Sequence, residues 1–135
     1  MQYFTMVYGI INKAEGTLHL APAGHPPAIH VPSDGKIVEI GRSSFPIGIV
    51  PGAEFDLETT SFKSDDRLFL YSDGITECLN PDLEAYSQER LLARLESWRE
   101  LPLPELRNRL ENDLRTWHGE DEFSDDITLM AIEME

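Results

Sequence analysis

Residues 68–77 read LFLYSDGITE, and the apolar run Leu68 to Tyr71 passes directly into Ser72, Asp73 and Gly74. A short continuous run of this kind, rich in aromatic and branched residues, has the length and character of a strand buried on both faces. A carboxylate at its end therefore stands where a core strand meets the surface, held by a rigid element. Gly74 offers a backbone free to turn sharply and to bring its carbonyl near a ligand. Asp-Gly after a strand is also an ordinary turn. What else the chain brings to that point decides between the two.

Upstream, the sequence reads as an antiparallel meander. Residues 3–11 (YFTMVYGII) are aromatic and β-branched, 12–16 (NKAEG) form a turn, and 17–21 (TLHLA) resume with alternating apolar residues. AIHV (28–31) and KIVEI (36–40) flank PSDG, a hairpin signal with Asp-Gly at its tip. The glycine- and proline-marked loop 43–52 leads to a candidate strand at 54–62, where Phe55 and Leu57 suit a half-buried sheet. KSDD (63–66) turns the chain into the strand at 67–72.

Downstream the period changes from two to about 3.6. After Ser87, a candidate N-cap, Leu91, Leu92, Leu95 and Trp98 share one helical face. Pro102 interrupts the pattern. Leu103, Leu106, Leu110, Leu114 and Trp117 then recur at spacings of three and four, with Pro104 in the first turn and Gly119 past the end. These stripes are core-forming faces of two packed helices. A closing strand is expected at 127–134, preceded by EDEFSDD (120–126). Strands, two helices and a closing strand make an α+β fold of antiparallel β-sheets with packed helices, in one domain over 1–135 without internal repeat or linker.

The chain carries 25 acidic residues against 11 Lys and Arg, a net charge of −14. Such a surface repels phosphate backbones and anionic lipid, which disfavours nucleic-acid and membrane partners. No apolar run approaches the length that spans a bilayer. The single cysteine, Cys78, forms no internal disulfide and suits the reducing cytoplasm.

Asp73 ends one strand, while Asp125 and Asp126 precede the last. If strands 67–72 and 127–134 lie antiparallel, these carboxylates meet at one end of a sheet. Clustered like charges repel, and a hard divalent cation with oxygen ligands, Mn²⁺ or Mg²⁺, neutralises them. Strand alternation sends neighbouring side chains to opposite faces, so one of Asp125 and Asp126 is expected to reach the site while the other points away.

FTMVYGIIN, LAPAGHPPAIHV, FPIGIVPG, LFLYSDGITE and SDDITLMAI occur in the order found in one family. The chain resembles the bacterial branch of the metal-dependent Ser/Thr protein phosphatases, the PPM family, of the SpoIIE/RsbU-like type. The ordered set spans nearly the whole sequence and is more specific than any one motif. The resemblance implies that Asp73 and Asp125 are metal ligands, with Gly74 beside them and Asp126 a neighbour that need not touch metal. Gly24 and His25 match a loop with a structural role. It implies two Mn²⁺ or Mg²⁺ ions, a metal-activated water and hydrolysis of phosphoserine on a bacterial regulatory protein of the anti-anti-sigma type.

The family's first metal motif, of the form GD-x-x-GHG, has no counterpart between Met1 and FTMVYGIIN. The chain is therefore expected to represent the C-terminal part of a truncated α-β-β-α sandwich. It should be inactive alone and able to dimerise through the surface left uncovered. The alternative is a non-catalytic module of the same fold that binds a partner.

Overall fold

Alternating apolar residues make TLHLAPA, β2 (Thr17–Ala23), the middle of a three-stranded sheet, flanked by β1 (Met6–Asn12) and β5 (Glu58–Ser61) in the order β1-β2-β5. The computed structural model describes residues 1–41, 44–120 and 122–135. Arg42, Ser43 at the head of the 43–52 loop, and Asp121 within 120–126 lie outside the described residues. Both pairings are antiparallel, with Ile10 opposite His19 and His19 opposite Thr59. A second sheet has the order β4-β3-β6-β7, from β3 (Ala28–Val31), β4 (Val38–Ile40), β6 (Arg67–Tyr71) and β7 (Leu129–Glu133). The β3–β4 hairpin closes at PSDG as expected, and Ile29 lies opposite Phe69 across β3 and β6.

The chain divides into two compact units, Met1–Leu70 with Ile132–Glu135, and Tyr71–Ala131. In the first unit the inner faces of both sheets meet around Leu18, Leu20, Ala28, Ile40, Phe62, Leu68 and Met134. Each large apolar side chain buried there contributes about 1.5–3 kcal/mol, so this layer dominates the stability of the unit. One polar network is sealed beside it. His30 Nε2 donates to Asp66 Oδ2 (2.9 Å), while the amides of Ser33 and Lys63 donate to the same carboxylate at 2.8 and 3.0 Å. The network ties the hairpin turn to the turn before β6. Burial pushes the Asp66 carboxyl up, but the two amides and His30 outweigh it and hold the group below its ordinary value.

The second unit carries α1 (Asp73–Thr76), α2 (Gln88–Ser97) and α3 (Leu103–His118). Ser87 caps α2 by accepting from the Arg90 amide (3.3 Å). Gly119 ends α3 in the left-handed conformation (φ 79°), with its amide on Arg115 O. Leu91 and Leu95 of α2 and Leu106, Leu110 and Leu114 of α3 are buried, as the periodicity requires. Asp113 of α3 accepts from Tyr86 Oη (2.6 Å) and from Arg94 Nε (3.0 Å) of α2, and Arg90 stacks 4.0 Å above the Trp117 ring. No helix among the described residues is long and apolar enough to cross a membrane.

Several elements are shorter than the sequence pattern suggests. β1 begins at Met6, with Phe4 making only an isolated bridge to Ile47. β5 begins at Glu58, because the ladder with β2 ends at the pair Leu20–Glu58. Phe55 and Leu57, expected in a half-buried strand, are instead 38% and 60% exposed. β7 begins at Leu129, not at Ile127.

Candidate metal centre at the SDG and SDD segments

β6 and β7 run antiparallel, as expected. At one end the Asp65 amide donates to Met134 O (2.8 Å) and the Met134 amide to Asp66 O (3.0 Å); at the other, the Ser72 amide donates to Thr128 O (3.0 Å). This register brings the end of β6 to the residues just before β7. Ser72 then fastens the junction with its side chain, whose Oγ donates to Asp126 O (3.3 Å) and accepts from the Thr128 amide (3.0 Å). Nothing in the sequence singled out Ser72 beyond its place in the motif.

The chain does not turn sharply after Ser72. Asp73 opens α1, and its carbonyl accepts from the Glu77 amide (2.9 Å) and from Thr76 Oγ1 (3.3 Å). Gly74 lies within this helical turn, outside the left-handed region that Gly24 and Gly119 occupy. The expectation that glycine serves a sharp turn is thus corrected. Glycine is required by close approach, because a Cβ at position 74 would overlap the carbonyl oxygen of Asp126. The SDG and SDD segments press against each other backbone to backbone.

Asp73, Asp125 and Asp126 are all exposed. Asp125 Oδ1 accepts from the Asp126 amide (2.7 Å), so it closes a local turn. Both aspartates precede β7, which removes the strand alternation that was to send Asp126 away from Asp125. The two in fact border one open cleft of about 470 Å³, floored by Ile75, Leu110 and Leu114 and edged by Arg107 and Arg115. Asp125 also borders a cavity of about 160 Å³ shared with Gly74, Glu77, His118 and Phe123. Asp73 borders neither.

The donor chemistry is that of a hard cation: exposed carboxylates, all oxygen. In number the set is partial. Among the described residues no group of three or more His, Cys, Asp or Glu side chains is placed to hold a metal ion. Such ions take about six oxygens, so these residues fit as one part of a coordination sphere. Cys78 is no ligand candidate, since burial pushes its thiol up and keeps it protonated at neutral pH.

The loop motifs upstream have a packing function. Gly24 has φ +65°, and a Cβ there would lie 2.6 Å from Pro46 Cγ, so AGHPP and FPIG are in direct contact. The His25 ring nitrogen Nδ1 lies 3.2 Å from Pro26 O, a local contact within the same loop.

Residues 1–135 match the family model described as Stage II sporulation protein E (SpoIIE). The chain belongs to the SpoIIE family. Phosphoserine phosphatase RsbP of Bacillus subtilis is 27% identical over 132 residues, which are 98% of this chain and 31% of that protein. The SiaA-PP2C domain of Pseudomonas aeruginosa superposes with a TM-score of 0.84 at 17% identity, over 97% of this chain and 52% of that one. The phosphatase domain of the cell fate determinant SpoIIE from Bacillus subtilis, presoaked with Mn, gives 0.74 at 16% identity, over 97% and 56%. The fold is therefore that of the PP2C phosphatase domains. This SpoIIE-family chain spans about half the length of those solved domains and under a third of RsbP.

Proposed function

We propose that this chain is the C-terminal part of a metal-dependent protein-serine phosphatase, acting in the cytoplasm on phosphoserine of a regulatory protein of the anti-anti-sigma type. The observation that carries this reading is the junction at the ends of β6 and β7. There Ser72 binds the backbone at Asp126 and Thr128, and Gly74 packs on Asp126. Asp73 and Asp125 would hold one side of a centre for Mn²⁺ or Mg²⁺, and Ser72 and Gly74 fix the two segments that carry them. When bound, such ions activate water and stabilise the charge of the phosphoryl group. The chain's own residues orient that centre and leave it open to a protein substrate, since all three aspartates are exposed.

The reading is tested by Mn²⁺-dependent phosphate release from a phosphoserine protein, using this segment within a complete domain of the family. Asp73→Asn and Asp125→Asn are each expected to reduce turnover by at least two orders of magnitude. Full activity in both variants would overturn the assignment of Asp73 and Asp125 to the centre. No Mn²⁺-dependent release by the complete wild-type domain would overturn the phosphatase reading and favour a partner-binding module of the same fold. The 135-residue chain alone is expected to release no phosphate, because its partial ligand set leaves most metal positions to water.

A further inference from the structure

His118, the last residue of α3, is buried, yet it faces two carbonyl oxygens from different segments. Its Nδ1 lies 2.8 Å from Leu79 O and its Nε2 2.9 Å from Glu122 O. The ring also packs on Phe123, with centroids 5.6 Å apart. Its neighbour Trp117 donates from Nε1 to Cys78 O (3.0 Å), so the end of α3 grips two consecutive carbonyls of the segment that follows α1. These contacts close a ring. From Asp73 the path runs through α1 to Leu79, across His118 to Glu122, along the loop to Asp125, and back through Asp126 to Ser72 and Gly74. The 160 Å³ cavity sits inside this ring and is lined by Gly74, Glu77, His118 and Asp125 among others.

We propose that His118 is a positioning residue for the phosphatase centre, fixing the Asp125 loop relative to the Asp73 helix by bridging Leu79 O and Glu122 O. The assignment rests on the metal-centre reading for its purpose, while the bridge itself stands on the hydrogen bonds. Without the ring, the polar ties that remain across the junction among the described residues are those of Ser72, at the far side of the loop. The loop between residues 122 and 126 would then be held at one end only. A loop held at both ends keeps its carboxylate where a metal site needs it, since preorganisation of ligands depends on the groups behind them.

The test compares wild type, His118→Phe and His118→Gln in the 135-residue chain. Phenylalanine keeps the ring packing and donates to neither carbonyl, whereas the glutamine amide restores an N–H donor. In His118→Phe, hydrogen exchange at the Asp126 and Thr128 amides should accelerate about tenfold, the effect of one net hydrogen bond. The Mn²⁺ concentration that broadens the NMR signals of residues 124–128 should rise about tenfold as well. His118→Gln should recover at least half of each change on a logarithmic scale. Unchanged exchange and unchanged Mn²⁺ response in His118→Phe would overturn the proposal. So would equal loss in both variants accompanied by equal loss of thermal stability, which marks a packing role alone. If Mn²⁺ broadens neither aspartate segment in wild type, the metal reading fails, and the exchange rates still decide whether His118 holds the loop.

Discussion

Gly74→Ala is expected to cost about 1–3 kcal/mol, because the added methyl meets the backbone carbonyl of Asp126 and not a side chain that can swing aside. Urea denaturation measures this, and a stability within error of wild type would show that the SDD segment yields freely. Asp66 gives a pH signature. Its carboxyl is held below the ordinary value of 3.8 in the folded state, so its stabilisation is full above that value. The contribution is lost as the pH falls through the depressed folded-state value. Asp66→Asn should lower stability at neutral pH by about 1–3 kcal/mol and flatten the acid limb of the stability curve. An acid limb identical in both proteins would exclude Asp66 as its source. The two residues differ in what the sequence discloses. Gly74 is conspicuous in LFLYSDGITE, although the reason for it, contact with a residue 52 positions later, is not. Asp66 looks like half of a turn motif, and its burial depends on His30 from another strand.

Among the elements, the helices stood out most clearly in the sequence. Ser87, the leucine stripes, Pro104 and Gly119 all mark local requirements of helical backbone, and α2 and α3 follow them. Ser87→Ala should destabilise the chain by about 1 kcal/mol through the lost cap. Leu110→Ala should cost about 2–5 kcal/mol through the cavity left in the buried face of α3. Calorimetric unfolding separates the two by size, and a near-neutral Leu110→Ala would contradict its place in the core. Strand limits were harder to read, since a strand lasts only as long as its partner. β5 starts only at Glu58, where its ladder with β2 ends at Leu20, and β7 starts at Leu129 although the apolar pattern begins at Ile127. α1 was missed because four residues carry no periodicity.

At the scale of the whole molecule, an exposed apolar row lies on an edge strand. Met6, Tyr8 and Ile10 of β1 are 39%, 56% and 50% exposed, and among the described residues β1 has a strand on one side only. Unpaired edges and apolar rows recruit further strands, so the 135-residue chain should self-associate. Light scattering should give a mass that rises with concentration, and a monomer at all concentrations would count against it. The family and the pairing of β6 with β7 were legible in the ordered motifs. The detailed junction was not, because Ser72, Gly74 and His118 act through contacts made between distant segments. The central claim is that the SDG and SDD segments form two sides of one metal centre, and Mn²⁺-induced broadening of backbone NMR signals tests it most directly. Residues 72–76 and 124–128 should broaden together at the lowest Mn²⁺ concentration, and both should stop responding in Asp125→Asn. Broadening confined to carboxylates elsewhere, such as Glu105 and Glu111 on α3, or of one segment without the other, would contradict the account.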